Sequence, residues 1–230
     1  MKRNVFRCAT AMGFLLFALF YTGGCASVGQ QFDQTKVPGL QIGTMHDTDY
    51  RGVFGEPQNV TKESGTDGTF ETATYTYAHA DLSSARARQL ILEFRDGVLN
   101  GYNYVSSFDE DKTSANSAAA ASIQRAASTR DDVLRLMGPP SGKARTPTRM
   151  EGFVKADKPG VFEIWVWAAF DVVHTFGDNK APGSNVIVVG FDPLGTVGEV
   201  IIQQQNISTT QSSTTNPDNK PGGSSGVPGD

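Results

Sequence analysis

The sequence predicts an α+β fold of two tandem ααβββ repeats, in which antiparallel sheets carry short helices on one face. The first observation is a turn that occurs twice: Gly55 and Gly138 each end a short apolar run, and a proline follows two residues later. Glycine followed by proline is typical of the end of a helix. The turns are 138 − 55 = 83 residues apart, and the same offset pairs Leu40 with Ile123. An aromatic strand and a hairpin follow each turn and complete the predicted repeat.

The first 24 residues have the three parts of a bacterial signal peptide. A basic start, MKRNVFR, precedes an apolar run from Ala9 to Tyr21, which is shorter than the roughly 20 residues needed to span a bilayer. The stretch Thr22 to Cys25 resembles the bacterial lipobox, in which small residues precede a cysteine that is acylated and becomes the new N-terminus. This resemblance implies a lipid anchor on Cys25, and Ala26 implies the outer membrane, facing the periplasm. The alternative is an ordinary signal peptide that is cleaved near a cysteine.

Composition divides the chain into six segments. A polar stretch without periodicity predicts a flexible tether, an acidic and alanine-rich stretch predicts a solvated linker, and a C-terminal stretch whose one hydrophobic residue is Val227 predicts a disordered tail. The predicted segments are a signal peptide at 1–24, a tether at 25–36, repeat one at 37–110, a linker at 111–121, repeat two at 122–207 and a tail at 208–230.

Local signals predict the elements inside each repeat. Thr129 with Asp132 three residues later is typical of a capped helix start, and the pair Asp96-Gly97 favours a hairpin. The helix that follows Thr129 has four apolar residues that predict a buried side: Val133, Leu134, Leu136 and Met137. Aromatic and β-branched residues predict strands at Thr69–Ala78, Gln89–Phe94 and Val98–Val105 in repeat one, and at Val161–Phe170, Val186–Val189 and Val197–Gln203 in repeat two.

Two aromatic pairs are the candidate partner-binding residues. They occupy similar places in the two repeats, each pair is followed by alanine, and the members of a pair share one face of a strand because they are two residues apart. On an open sheet face they would form a surface for a partner protein, and beneath the helices they would form core. The apolar neighbours Ile164 and Val166 favour the core. The four residues are Tyr75, Tyr77, Trp165 and Trp167.

Catalytic and metal-binding patterns are absent from the sequence, so we expect a protein without enzymatic activity, metal or cofactor. His46, His79 and His174 are far apart in the chain, and no zinc, phosphate-loop or serine-nucleophile motif is found. Asp171, close to the tryptophan strand, is the one acid that could line a sugar groove. Without the signal peptide the chain carries 20 − 3 = 17 basic and 24 acidic groups, a net charge of −7, which argues against a nucleic-acid partner.

The order of these elements resembles a known family. Two short helices, a Gly-x-Pro turn, an aromatic strand and a hairpin, on a lipoprotein, look like the BamE (SmpA/OmlA) family of outer-membrane lipoproteins, and two such units in tandem resemble β-lactamase inhibitor protein. The resemblance covers Val37 to Ile207. It implies a lipid-anchored periplasmic module that binds an envelope protein during outer-membrane protein assembly. Two alternatives are an inhibitor-like regulator of a periplasmic enzyme and a binder of peptidoglycan or another glycan.

Overall fold

The computed structural model describes residues 26–82, 84–170, 173–174 and 183–206. The predicted signal peptide, Cys25, Asp171 and the predicted C-terminal tail lie outside the described residues.

In the described part of the chain, ten strands form one antiparallel sheet. The main path through it runs β1–β3–β4–β5–β6–β7–β9–β10, while β2 also pairs with β3 and β8 with β4. The pairing of β5 with β6 joins the first half of the sheet to the second. The strands are β1 (Ala26–Gly29), β2 (Asn59–Gly65), β3 (Gly68–Ala80), β4 (Ser84–Arg95), β5 (Val98–Ser106), β6 (Gly142–Arg145), β7 (Glu163–Phe170), β8 (Val173–His174), β9 (Gly183–Phe191) and β10 (Val197–Asn206).

Short helices connect or flank these strands. They are α1 (Tyr50–Phe54), α2 (Ser117–Ala120) and α3 (Arg130–Met137), with 3-10 helices at Gln34–Gly39 and Val154–Ala156. Within the described ranges, no helix has both the length and the apolar character required to cross a bilayer. The prediction of an α+β fold with an antiparallel sheet and short helices is therefore confirmed.

Each half contains a strand that the sequence pattern does not mark. β2 precedes the aromatic strand β3, and β6 precedes β7 in the same way. All seven residues of β2 are exposed, so no alternation of apolar and polar residues signals a strand. It forms because its backbone pairs with β3 along its whole length, from Asn59 opposite Thr74 to Gly65 opposite Gly68. Together with β1 and β8, which the predicted ααβββ order also omits, each half has five strands instead of three, and one continuous sheet replaces the predicted separate sheets.

One face of the sheet is covered by the helices. In the first half, Tyr50 and Phe54 of α1 pack against strand residues such as Leu92, and Tyr50 stacks on Phe94 with ring centroids 5.1 Å apart. In the second half, Val133 of α3 packs against the strands in the same way. The strand residues of that second cluster are Trp165, Trp167, Ile187, Val189, Phe191 and Val197.

The opposite face of the second half is covered by the segment 146–162. Met150, Phe153 and Ala156 of this segment are buried against strand residues that include Ile164 and Val166. This second cover explains why β7 is apolar at consecutive positions: its tryptophans face the helices and its aliphatic residues face the segment.

A buried carboxyl group fastens that segment to the first half. Glu93 of β4 is completely buried. Its Oε1 accepts hydrogen bonds from Asn100 Nδ2 (2.8 Å) and Thr148 Oγ1 (2.9 Å), and its Oε2 accepts one from the Arg149 backbone N–H (2.6 Å). Asn100 is the extra residue of a β-bulge, since Glu93 lies opposite Gly101 and the next pair is shifted by one residue.

The predicted tether is part of the fold in its described residues. β1 pairs with the end of β3, so that Ala26 lies opposite Ala80. Phe32 is buried, and its ring centroid lies 5.6 Å from that of Tyr75 and 6.2 Å from that of Tyr104. The expectation of a flexible tether is wrong for these residues, because a large aromatic side chain in the polar stretch supplies the buried area that holds it.

The predicted linker is also structured. Ala120 of α2 is buried, and Asp111 accepts hydrogen bonds from Tyr104 Oη (2.6 Å) and from Ser106 Oγ. The linker is ordered because its alanines pack on the sheet and its acidic side chains find partners there, which the composition does not reveal.

Buried tyrosines make the fold sensitive to alkaline pH. Burial, and after it the charge of Glu71, raises the pKa of Tyr50 from 10.0 to about 12. Since the folded state favours the neutral phenol, this contribution to the free energy of unfolding is complete below pH 10.0 and is lost as the pH rises toward about 12. The phenolate absorbance of the wild type and of Tyr50→Phe can be titrated with pH. The difference between the two titration curves should have its midpoint well above pH 10.0. A Tyr50 curve centred at the ordinary value in folded protein would contradict this expectation.

Candidate functional site

The structure buries three of the four aromatic residues that the sequence offers as a partner surface. Tyr75, Trp165 and Trp167 are 1%, 5% and 2% exposed, beneath the helices. Tyr77 is half-buried and stacks on Phe108, with ring centroids 5.7 Å apart. A partner cannot reach the three buried rings, so the core interpretation holds for them and the partner-surface interpretation does not.

Hydrogen bonds correct the correspondence between the two aromatic pairs. The Tyr75 hydroxyl donates to the carbonyl of Gly55 (2.8 Å), and Trp167 Nε1 donates to the carbonyl of Gly138 (3.2 Å). Tyr75 and Trp167 therefore make the same kind of hydrogen bond to a glycine that ends a helix, whereas the sequence comparison places Tyr75 with Trp165. Both glycines have similar backbone angles, φ 81° with ψ −164° and φ 73° with ψ −172°, which lie in a region that favours glycine.

A groove of about 570 Å³ crosses the helix-covered side of the sheet above β5 and β6. Its two walls come from different halves of the chain: Pro38 of the first 3-10 helix lies on one side, and Leu134 and Met137 of α3 lie on the other. Tyr102 and Tyr104 of β5 line it from the sheet. We call this feature the interhelical groove.

The position of α3 follows from its caps. The Asp132 N–H donates to Thr129 Oγ1 (3.3 Å), and the Thr129 N–H donates back to Asp132 Oδ2 (2.9 Å), which fixes the first turn. Gly138 ends the helix. Between these points only Val133 is buried in the core, whereas Leu134 and Leu136 are 43% and 42% exposed. The helix thus buries fewer apolar residues than the sequence predicts, and Leu134 and Leu136 are on the surface.

The polar groups at the sheet end of the groove hold one another in place. Tyr104 donates to Asp111, and Arg88 Nη1 lies 3.3 Å from Asp111 Oδ2. Burial, followed by the hydrogen bond to Asp111, raises the pKa of Tyr104 well above its ordinary value. Asp111 thus anchors the chain that follows β5, and this arrangement leaves Tyr104 a neutral donor.

Two lysines give the groove a positive character. The Lys143 ammonium lies 4.6 Å from the ring centroid of Trp165, and Lys112 lies at the exposed edge. Among the described residues, no carboxylate oxygen lies within 4.0 Å of either ammonium group. Apolar walls with available cations suit a ligand that presents apolar side chains and a carboxylate.

His46 and His79 lie at opposite ends of the sheet. His46 forms a backbone bridge with Val98, His79 Nδ1 lies 3.0 Å from Ser27 Oγ, and His174 belongs to β8. Across the described residues, no group of three or more His, Cys, Asp or Glu side chains is placed to hold a metal ion.

The sequence did not single out the residues that form the groove. Pro38, Tyr102 and Lys143 come from separate parts of the chain, and their proximity depends on the β5–β6 pairing. A local signal does exist in α3, where four apolar residues in eight exceed what one side of a short helix can bury.

Comparison with known proteins gives one distant similarity. No protein-family model matches the chain, and no curated protein matches it. The fold is similar to the crystal structure of a "putative beta-lactamase inhibitor protein" from Streptococcus mutans, with 9% sequence identity and a TM-score of 0.42. The match covers 74% of this chain and 94% of that chain. A similarity at this level assigns no function.

Proposed function

We propose that this protein is a lipid-anchored, non-catalytic binding module of the outer membrane, which faces the periplasm and holds a partner protein of the envelope assembly machinery in its interhelical groove. The lipobox-like sequence at Cys25 supports the anchor. The exposed apolar side of α3 supports the binding role and is the observation that carries the proposal.

The composition of the groove is that of a protein interface. Tyrosine and methionine are enriched where proteins meet, and exposed apolar side chains that line a groove commonly mark such a site. Leu134 and Met137 provide the accessible apolar surface, whereas Tyr102 and Tyr104 are each only 7% exposed and form the floor beneath it. Lys143 provides the charge that would orient an acidic residue of the partner.

We infer further that the two halves are copies of one unit, with the groove between them. The equivalent hydrogen bonds of Tyr75 to Gly55 and of Trp167 to Gly138 support this inference. Three core residues spaced alike on β4 and β9, at a constant offset of 97, support it as well: Leu90, Leu92 and Phe94 against Ile187, Val189 and Phe191. A duplicated unit would create between its copies a groove that a single copy lacks.

Two leucines of α3 provide a matched test. Leu134 lines the groove and Leu136 does not, yet both are exposed to the same extent on the same helix. A photo-crosslinking residue placed in the full-length protein in cells should give a discrete protein adduct at position 134 and none at 136. With the partner identified by mass spectrometry and purified, Leu134→Glu should weaken binding about tenfold or more, while Leu136→Glu leaves it unchanged.

The identity of the adduct separates the functional classes. A subunit of the barrel-insertion machinery supports the proposal, whereas a soluble hydrolase would indicate the inhibitor-like regulator instead. Adducts of equal yield at both leucines, or equal losses of binding in both variants, would contradict a role for the groove. Trp167, the aromatic residue of the glycan-binding alternative, is buried, so a glycan cannot stack on it.

A further inference from the structure

Two exposed apolar side chains lie at the end of the sheet where the described chain begins. Leu82, in the connection between β3 and β4, is 76% exposed, and Val28 of β1 is 70% exposed. Among the described residues, only Leu194 exceeds them among large hydrophobic side chains, at 90%. Leu194 lies in the turn between β9 and β10, at the opposite end of the sheet, because β9 runs antiparallel to β7 and away from the β3–β4 connection.

The pairing of the strands shows that Val28 and Leu82 belong to a larger apolar surface. Directly paired residues of antiparallel strands share a face, and here the pairs are Ala26 with Ala80, Val28 with Ala78, Ala78 with Ala87 and Ala80 with Ala85. Every one of these residues is exposed or half-buried, and none is charged. We call this surface, together with Leu82, the apolar end face: Ala26, Val28, Ala78, Ala80, Leu82, Ala85 and Ala87.

The basic residues of β3 and β4 at this end of the sheet are on the other face. His79 lies opposite Arg86, and Tyr77 lies opposite Arg88. The two arginines pair with acidic side chains there: Arg86 Nη1 is 3.9 Å from Asp109 Oδ2, and Arg88 Nη2 is 2.7 Å from Glu110 Oε1. Within β3 and β4 the sheet therefore separates apolar from basic side chains at this end. Asp81, in the connection beside Leu82, accepts a hydrogen bond from the Ser84 N–H (2.8 Å).

We propose that the apolar end face lies against the lipid bilayer. The chain itself supplies the argument: 25 residues precede Ala26, they include the apolar run from Ala9 to Tyr21, and the acyl-bearing residue would be Cys25. This inference rests on the lipid anchor of the proposed function. An extended residue spans about 3.4 Å, so an anchor on Cys25 holds the beginning of β1 within a few ångströms of the headgroups. At that distance, small uncharged side chains can enter the interface without a cost of burying charge.

A single fluorophore can report the contact. With Cys8 removed in the signal peptide and Cys25 acylated, the mature protein has no other thiol, so one introduced cysteine can be labelled alone. The purified full-length lipoprotein, in vesicles of neutral phospholipid, would carry an environment-sensitive dye at Leu82→Cys, Ala80→Cys, His79→Cys or Leu194→Cys. His79 and Ala80 are neighbours on opposite faces, and Leu194 is the matched exposed leucine at the far end.

The dyes at positions 82 and 80 should show a blue-shifted emission and lose intensity when nitroxide-labelled lipid is included. Dyes at positions 79 and 194 should be unaffected. Equal behaviour at 80 and 79, or at 82 and 194, in acylated protein would overturn the proposed contact and leave the anchor standing. Mass spectrometry of the N-terminal peptide reads the anchor separately: an unmodified Cys25 would overturn the anchor, and with it the contact that depends on it.

Discussion

Glu93→Ala is expected to lower the free energy of unfolding by about 4 kcal/mol, because the substitution leaves two donors in a buried region without an acceptor. These donors are the Thr148 hydroxyl and the Arg149 backbone N–H, while the Asn100 amide keeps the carbonyls of Arg145 and Pro147 as acceptors. Thr148 belongs to the segment that covers the second half, whereas Glu93 is in β4 of the first. The loss should therefore loosen the contact between the halves as well as the site itself.

Urea unfolding followed by circular dichroism measures this effect. Glu63→Ala is the matched control, because Glu63 is an exposed glutamate of the same sheet, and its replacement should change the free energy of unfolding by less than about 0.5 kcal/mol. The loss of unfolding free energy in Glu93→Gln should lie between the losses in these two variants. The amide oxygen of glutamine still accepts a hydrogen bond, but its NH₂ group faces another donor. Equal stability of Glu93→Ala and Glu63→Ala would show that the buried network does not hold the segment.

Trp167→Ala is expected to cost about 4 kcal/mol of the free energy of unfolding. The indole is 2% exposed, packs in the second core cluster and donates to the carbonyl of Gly138. Removing it creates a cavity and leaves that carbonyl without its side-chain donor. Trp167→Phe keeps most of the side-chain volume, so it should lower the free energy of unfolding by roughly half as much.

Phe162→Ala gives the matched surface control for the tryptophan variants. Phe162 is 43% exposed and immediately precedes β7, so its replacement should cost less than about 1 kcal/mol. Thermal unfolding of the three variants and the wild type gives the comparison. If Trp167→Ala kept wild-type stability, the indole would not belong to the core, and the partner-surface interpretation of the aromatic pairs would have to be restored.

The α+β class could be predicted from sequence because its signals are local. A glycine that ends a helix, the Asp96-Gly97 hairpin and the apolar strands each depend on a few neighbouring residues. β2 could not be predicted in this way. Its residues are exposed on both sides and, apart from Val60, carry no large apolar side chain, so that backbone pairing to β3 makes it a strand.

The candidate site is harder to predict, because it depends on how the two halves of the chain pair with each other. Tyr75 and Trp167 were singled out as large aromatics, but burial removes them from the surface. Tyr102 and Lys143 become neighbours of α3 only through the pairing of β5 with β6. Residue type indicates what can bind, whereas the topology decides which residues are exposed together.

The short seam between β5 and β6 has a mechanical consequence. It consists of three paired positions, Gly101 with Ala144, Tyr102 with Lys143 and Asn103 with Gly142, and the two walls of the groove stand on either side of it. The separation of the walls is therefore set by the twist of the sheet at this seam and by the Glu93 contacts that join the halves on the opposite face.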